Sequence, residues 1–209
     1  MAKALSTLAV GALVKDTGTL YNGKPIIWKI ADRNHAGYPA NSVTLITERI
    51  ISLKCFDAIE SGNSDSNRRS YGNNRWIYSN IRRWLNSQAA AGKWYAAQHS
   101  ADAPPSNANV WSNYNEYDGE AGFLAGFSAN FLAALLNTTH TVGKASVDGG
   151  GMCVEKRVHE QRFQCKFVLV LLALRRLRVE FVRRPRRLFL RRVAPQLRVR
   201  RQRGRAPAL

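Results

Sequence analysis

The feature that most constrains the fold is an abrupt change in amino-acid composition near residue 151. The first 150 residues contain 37 Asn, Ser and Thr residues, whereas residues 151–209 contain none. Basic and acidic side chains number 14 and 11 before the change, and 18 and 3 after it. One ordinary globular domain does not show such a break. We therefore predict a folded body, residues 1–151, and an Arg-rich tail, residues 152–209, that is irregular or poorly packed.

Membrane-spanning and disulfide-stabilised classes have little support in the sequence. The longest apolar run, residues 167–174, is too short to cross a bilayer. Polar residues interrupt the mildly apolar residues 4–14, and no convincing signal-peptide cleavage site follows, so we expect a β-strand there. The three cysteines are an odd number and imply no disulfide framework.

The first part of the body has the pattern of antiparallel strands. Asn22-Gly23 tolerates the positive φ angles of a two-residue hairpin turn. Apolar residues flank this turn, so residues 10–14 and 26–30 are predicted to pair, with Trp28 as a core anchor. Residues 42–51 are rich in β-branched side chains and predict a third strand.

Helical spacing follows two serines that are suitable N-caps, Ser79 and Ser128. We predict a helix after each of them, and a further short helix over residues 89–98. Residues 61–75 and 101–120 are polar and predict long surface loops. Strands, two or three short helices and long loops together indicate an α+β domain.

Four segments of the body form a recognisable set of motifs. They are YNGKPIIWKI (21–30), YGNNR (71–75), SNIRRWLN (79–86) and GFLAGFSAN (122–130). This set resembles an uncharacterised domain family of gut bacteria and their phages, related to the C-type-lectin-like fold. The resemblance implies a non-catalytic recognition module on a phage virion or bacterial cell surface. Its ligand would be an unknown protein or glycan.

The tail departs from that family. There the chain continues after the glycines at 149–151 with strands that pair with the first strands and line the ligand surface. Residues 152–209 lack that region, and their arginine content is typical of a GC-rich gene in another reading frame. We therefore expect an incomplete C-type-lectin-like domain with exposed strand edges, marginal folding and impaired function.

Aromatic residues in or beside the predicted loops are the candidate ligand-binding residues. Aromatic rings can stack on sugars or on a partner protein, although burial in the core is the more frequent fate of Trp. The candidates are Trp76, Trp111, Tyr114 and Tyr117.

No constellation of residues indicates a catalytic site, a metal or a cofactor. His99 lies near Asp102, but no Gly-x-Ser-x-Gly motif accompanies them. Cys153, His159 and Cys165 are too few for structural zinc. An acidic group lacks the spacing of a calcium-binding loop and is expected to be a solvated loop: Asp57, Glu60, Asn63, Asp65 and Asn67.

Two other functions remain open at this point. The tail would bind nucleic acid or an anionic membrane electrostatically, so a basic nucleic-acid-binding protein is the main alternative. An enzyme related to the formylglycine-generating sulfatase modifiers, which share the lectin-like fold, is favoured least. The arginines that would contact nucleic acid are Arg175, Arg176, Arg183, Arg184, Arg186, Arg187, Arg191 and Arg192.

Overall fold

The computed structural model describes residues 2–95, 102–143, 152–157, 171–174 and 178–181. Over these residues the chain is an α+β structure of short antiparallel strands and short helices, as the sequence predicts. The strands are β1 (Ala2–Ala4), β2 (Leu13–Lys15), β3 (Leu20–Tyr21), β4 (Lys24–Pro25), β5 (Trp28–Arg33), β6 (Val43–Thr47), β7 (Thr138–Gly143), β8 (Met152–Arg157), β9 (Leu171–Leu174) and β10 (Arg178–Phe181). The α-helices are α1 (Ser66–Tyr71), α2 (Asn80–Leu85) and α3 (Ala129–Ala134), and single 3-10 turns span Leu5–Thr7, Trp76–Tyr78, Asn107–Asn109, Trp111–Asn113 and Phe123–Gly126.

The main sheet has six antiparallel strands in the order β1-β10-β2-β5-β6-β9. Strands β3 and β4 form one two-stranded sheet, and β7 and β8 form another. The turn between β3 and β4 is the predicted Asn-Gly turn, with φ of 48° at Asn22 and 71° at Gly23. The predicted pairing of the flanking segments is also present, because Val14 of β2 lies opposite Trp28 of β5.

A chain of aromatic contacts connects the sheet to the loops. Trp28 is fully buried, as predicted, and its ring stacks on Phe131 with ring centroids 5.7 Å apart. Phe127 contacts Phe131 edge-on, and further ring contacts lead to Trp84 and Trp94. Large aromatic side chains bury much apolar area each, so this chain of rings dominates the core.

Both predicted N-caps are present. The hydroxyl of Ser79 accepts a hydrogen bond from the backbone N–H of Arg82 at the start of α2, and Ser128 accepts one from Phe131 at the start of α3. These bonds satisfy amide groups that a helix leaves unpaired at its first turn. No helix among the described residues is long and apolar enough to cross a bilayer.

Two local predictions were wrong. Residues 89–95 form no helix, because the chain turns at residues 91–94 with φ of +69° at Gly92. The segment 61–75, predicted as loop throughout, contains α1, which begins after Asp65. The carboxylate of Asp65 accepts from the backbone N–H of Arg68 at 2.9 Å. No residue of α1 is buried, so apolar periodicity carries no signal for it.

The tail also differs from expectation in its described residues. The expected irregular structure is replaced at residues 152–157, 171–174 and 178–181 by β8, β9 and β10. Strand β10 lies inside the sheet between β1 and β2, and β9 pairs with β6. Strand pairing requires only an extended backbone, and the Leu and Val residues that recur in the tail are compatible with that conformation. The domain boundary at residue 151 stays a prediction.

Candidate functional site

The four aromatic residues predicted to bind a ligand separate into two pairs. Trp111 and Tyr114 are 59% and 72% exposed, whereas Trp76 and Tyr117 are buried in the core. The hydroxyl of Tyr117 donates to the carbonyl of Cys55 at 3.1 Å. The structure therefore leaves Trp111 and Tyr114 accessible to a ligand, while Trp76 and Tyr117 have structural contacts.

An exposed aromatic residue that the sequence interpretation missed joins this site. Tyr71, the last residue of α1, is 55% exposed, and its ring centroid lies 4.6 Å from that of Trp111 at an interplanar angle of 54°. We call Tyr71, Trp111 and Tyr114 the aromatic surface. Its signal in the sequence is the first letter of the YGNNR motif, but only the fold brings α1 beside the Trp111 loop. Exposed aromatic residues in a group are characteristic of binding surfaces.

The loop that carries Trp111 and Tyr114 has an unusual backbone. Ser112, Asn113 and Asn115 have φ angles of 59°, 57° and 62°. Residues other than Gly adopt this left-handed region at a cost, and Asn tolerates it best. The conformation persists because Asn113 donates to the carbonyl of Val110 at 3.2 Å, and Val110 is buried. Such strained non-glycine positions concentrate at functional sites.

The segment of residues 55–60 holds the Trp111 loop through two backbone hydrogen bonds. The backbone N–H of Ile59 donates to the carbonyl of Asn109 at 2.7 Å, and that of Cys55 donates to Asn115 at 3.2 Å. One bond lies on each side of Trp111 in the sequence. The loop is therefore fixed at both of its ends to the same segment.

Two buried carboxylates fasten α1 to that same segment. The side-chain amide of Asn73 donates to Asp57 at 2.6 Å and to Glu60 at 2.9 Å, and the backbone N–H of Asn80 donates to Asp57 at 2.9 Å. The backbone N–H of Glu60 donates to the carbonyl of Arg68 in α1 at 3.0 Å. The prediction of a solvated loop was wrong for Asp57 and Glu60, which are 6% and 1% exposed. The amide of Asn63, three residues from Glu60, also donates to it, but the partners Asn73 and Asn80 lie 13 to 23 residues away, so local spacing does not reveal them.

The environment of Asp57 changes its acidity. Burial raises the pKa of Asp57 to about 7, while the backbone hydrogen bonds from Asn80 and Asn73 act in the opposite direction. Charge repulsion from Glu60 and Asp102 adds to the increase. The network therefore has a charge that changes near neutral pH.

Gly72 allows α1 to approach the segment of residues 55–60. Its φ and ψ are 76° and −180°, a region that essentially only glycine adopts. A Cβ atom at this position would lie 2.3 Å from the carbonyl oxygen of Ala58. Together with the amide of Asn73, this gives the YGNNR motif a structural explanation: it places Tyr71 next to Trp111.

Residues 41–167, more than half of the chain, match a protein family that is described as a domain of unknown function, DUF6273. The chain belongs to the DUF6273 family. Searches of curated proteins and of solved structures gave no match. The DUF6273 match contains the aromatic surface and three of the four sequence motifs, and it extends past Gly151 to residue 167.

Other polar groups in the DUF6273 chain are engaged in the core. Lys54 forms an ion pair with Glu120, and its ammonium lies 5.3 Å from the ring centre of Trp84 and 5.5 Å from that of Tyr117. The side chain of Lys54 is 5% exposed. A buried ammonium requires such compensation by opposite charge and aromatic faces. Lys54 therefore stabilises the core beneath the segment of residues 55–60.

A Ser–Asp pair elsewhere also has a structural role. The hydroxyl of Ser128 donates to Asp16 at 2.5 Å and accepts from the N–H of Phe131, and the hydroxyl of Thr19 donates to Asp16 at 2.6 Å. These bonds occupy the Ser128 hydroxyl with helix capping. They also join α3 to the turn after β2.

Within the described residues, no group of three or more His, Cys, Asp or Glu side chains is placed to hold a metal ion. His35 and Asp32 form an exposed pair, and their hydrogen bond lowers the pKa of Asp32. Burial raises the pKa of the Cys55 thiol to about 12, so it is not a nucleophile at neutral pH. The remaining candidates lie outside the described side chains: His99, His140, His159, Cys153, Cys165, Arg175, Arg176, Arg183, Arg184, Arg186, Arg187, Arg191 and Arg192.

Proposed function

We propose that the chain is a non-catalytic recognition module of phage-tail or bacterial-surface type that binds its ligand through the aromatic surface. The observation that carries the proposal is the exposed contact between Tyr71 and Trp111, with Tyr114 in the same strained loop. Helix α1 and the Trp111 loop are both attached to the segment of residues 55–60, and together they form the aromatic surface. Loops fixed on a rigid scaffold are a common place for recognition.

The interior supports a binding role rather than catalysis. The carboxylates of Asp57 and Glu60 accept hydrogen bonds from neighbouring amides, and the hydroxyl of Ser128 is engaged in a helix cap. These hydrogen bonds hold elements of the fold together. A general base or nucleophile needs a position within reach of a reacting group.

The strand order supports a relation to the C-type-lectin-like fold. The resemblance implies that the last strands of such a domain pair with the first ones. Here β10 pairs with both β1 and β2. The resemblance implies this arrangement for the complete family domain, whereas the incomplete domain expected for this chain would lack it.

We also propose that the chain leaves its natural reading frame, and the family match moves this point from the expected residue 151 to residue 167 or beyond. The family match ends there, and β7 pairs with β8 across the glycines at 149–151. Residues 168–209 contain fourteen Arg but no Lys or His. Translation of the encoding DNA in the other two frames beyond codon 167 tests this proposal. Recovery of a Trp- and Tyr-containing strand pattern would support it, and its absence from both frames would contradict it.

The binding proposal is tested with fluorescently labelled full-length chain and a panel of intact gut bacteria. The double variant Trp111→Ala/Tyr114→Ala is expected to bind at least tenfold more weakly, because aromatic anchors dominate binding energy. Ile50→Ala is the matched control, since Ile50 is 54% exposed and lies outside the aromatic surface. Equal binding by the double variant and wild type, with both cooperatively folded, would contradict the proposal.

Nucleic-acid binding through the tail is the second candidate function, and the charge of residues 151–209 favours it. Truncation after Phe181 removes eleven arginines and keeps every described strand. If the tail carries the function, the truncated chain loses retention of duplex DNA, and the full chain's retention falls steeply with salt. Unchanged retention after truncation would exclude residues 182–209 as the site of binding.

A further inference from the structure

We propose that the ligand of the aromatic surface is a glycan, whose pyranose rings stack on Trp111 and Tyr114 without a bridging metal ion. The inference rests on the proposed recognition function and specifies the chemistry of its ligand. It is argued from the composition of the surface, the geometry of its rings and the polar groups between them.

The surroundings of the rings are polar. Residues 111–116 are all exposed, and apart from the two aromatic residues they are Ser, Asn and Glu. The exposed aliphatic side chains of Val10 and Ile50 lie elsewhere, where they line a cleft of about 730 Å³ beside β5 and β6. A stable protein interface needs about 800 Å² from each partner with a desolvated apolar centre. Three rings among amides are better suited to a smaller, hydroxyl-rich ligand.

The rings are arranged to present faces. The rings of Tyr71 and Trp111 pack at an interplanar angle of 54°, and each side chain is still more than half exposed. The face of an aromatic ring is electron-rich and attracts the slightly positive C–H groups on one side of a pyranose ring. Tyr71 limits the motion of the Trp111 indole, which lowers the entropy lost when a ligand stacks on it.

Side-chain amides flank the rings. Asn113 and Asn115 are exposed, and each provides both donors and an acceptor, which suits neighbouring sugar hydroxyls. Their positive φ angles fix where the amides project, and the side chain of Asn107 donates to the carbonyl of Asn113 at 3.2 Å. Rigid placement of adaptable polar groups is a feature of specific recognition sites.

The charges of this region do not select an anion. The guanidinium of Arg69 in α1 donates to the carbonyls of Asn63 and Ser64 at 3.0 Å and 3.1 Å, and Glu116 adds a negative charge to the loop. Phosphate recognition normally uses convergent cationic side chains. A neutral or weakly charged polysaccharide is therefore the ligand class that this surface fits.

The test uses the intact-cell binding assay, on the strain that binds the full-length chain most strongly. Cells are treated with sodium periodate, which cleaves vicinal diols of sugars, or with proteinase K, which removes surface proteins. A third portion is left untreated, and binding to it is repeated in EDTA. We expect at least a tenfold loss of binding after periodate and no loss after proteinase K or in EDTA.

A variant links the result to the aromatic surface. Trp111→Phe keeps an aromatic face and is expected to retain more binding to untreated cells than Trp111→Ala. Loss of binding after proteinase K but not after periodate would identify a protein partner and overturn the inference. Loss in EDTA would indicate a bridging cation and would also overturn it. In both cases the recognition function itself would still stand, whereas failure to bind any strain would contradict that function.

Discussion

The substitution Gly72→Ala tests the idea that a close backbone approach builds the aromatic surface. The new Cβ would lie 2.3 Å from the carbonyl oxygen of Ala58 and 3.0 Å from the side chain of Asp57. Because the first contact is with backbone, no side-chain rotation relieves it. The segment of residues 55–60 must move, and the hydrogen bonds of Asn73 to its carboxylates must lengthen.

The expected magnitude follows from two separable costs. An alanine at φ 76° and ψ −180° costs about 2 kcal/mol of backbone strain, and the steric overlap costs about 2 kcal/mol more. The chain contains a control for each cost. Gly23→Ala has a similar φ, 71°, with nothing near its Cβ, and should lose about 1 kcal/mol. Gly126→Ala has no positive φ but places its Cβ 2.3 Å from the carbonyl oxygen of Leu20, and should lose about 2 kcal/mol.

Urea unfolding of the full-length chain, followed by tryptophan fluorescence, measures all three variants. If the dependence of the unfolding free energy on urea is equal for all three, the midpoint should be highest for Gly23→Ala and lowest for Gly72→Ala, with Gly126→Ala between them. The Gly72→Ala chain should also bind cells more weakly while it still folds cooperatively, because Tyr71 directly precedes the substituted residue. A Gly72→Ala chain as stable as the Gly23→Ala chain would refute the packing argument.

Three further predictions concern stability. Ser79→Ala and Ser128→Ala should each lower the free energy of unfolding by about 1 kcal/mol in thermal denaturation, and threonine at either position should restore most of it, because both hydroxyls cap helices. The pKa of Asp57 is raised in the folded chain. The stability that follows from this raised pKa is fully present below the pKa of the unfolded chain and is lost as the pH rises through about 7. The free energy of unfolding of the wild type, relative to that of Asp57→Asn, should therefore increase as the pH falls from 8 to 4, by on the order of 4 kcal/mol at most. The same pH dependence of stability in both chains would contradict this. Ile30→Val should cost about 1 kcal/mol in urea unfolding and Ile50→Val less than about 0.5 kcal/mol, since the first side chain is fully buried and the second is 54% exposed.

Local signals in the sequence predicted much of the body. Asn22-Gly23 determines a turn by backbone sterics alone, and Ser79 and Ser128 determine helix starts through bonds that span three residues. Trp28 was predicted as a core residue from strand alternation. These features depend on neighbours in the sequence, so a single sequence is enough to find them.

Features that depend on distant partners could not be predicted in this way. The burial of Asp57 and Glu60 depends on amides from Asn73 and Asn80, which no local pattern links to them. The aromatic surface could not be predicted for the same reason, because Tyr71 contacts Trp111 only when α1 is attached to the segment of residues 55–60. Composition also did not predict the described strands β8, β9 and β10, because strand pairing requires extended backbone and not a particular polar content.

The position of β10 has a consequence for the order in which the chain assembles. Ala2 pairs with Glu180, and Lys15 pairs with the same residue from the other side. On the ribosome, β1 and β2 therefore lack their shared neighbour until β10 has been synthesised. Contacts of such long sequence separation make folding slow. Until β10 forms, β1 and the facing edge of β2 have unpaired backbone groups, which can pair with another chain.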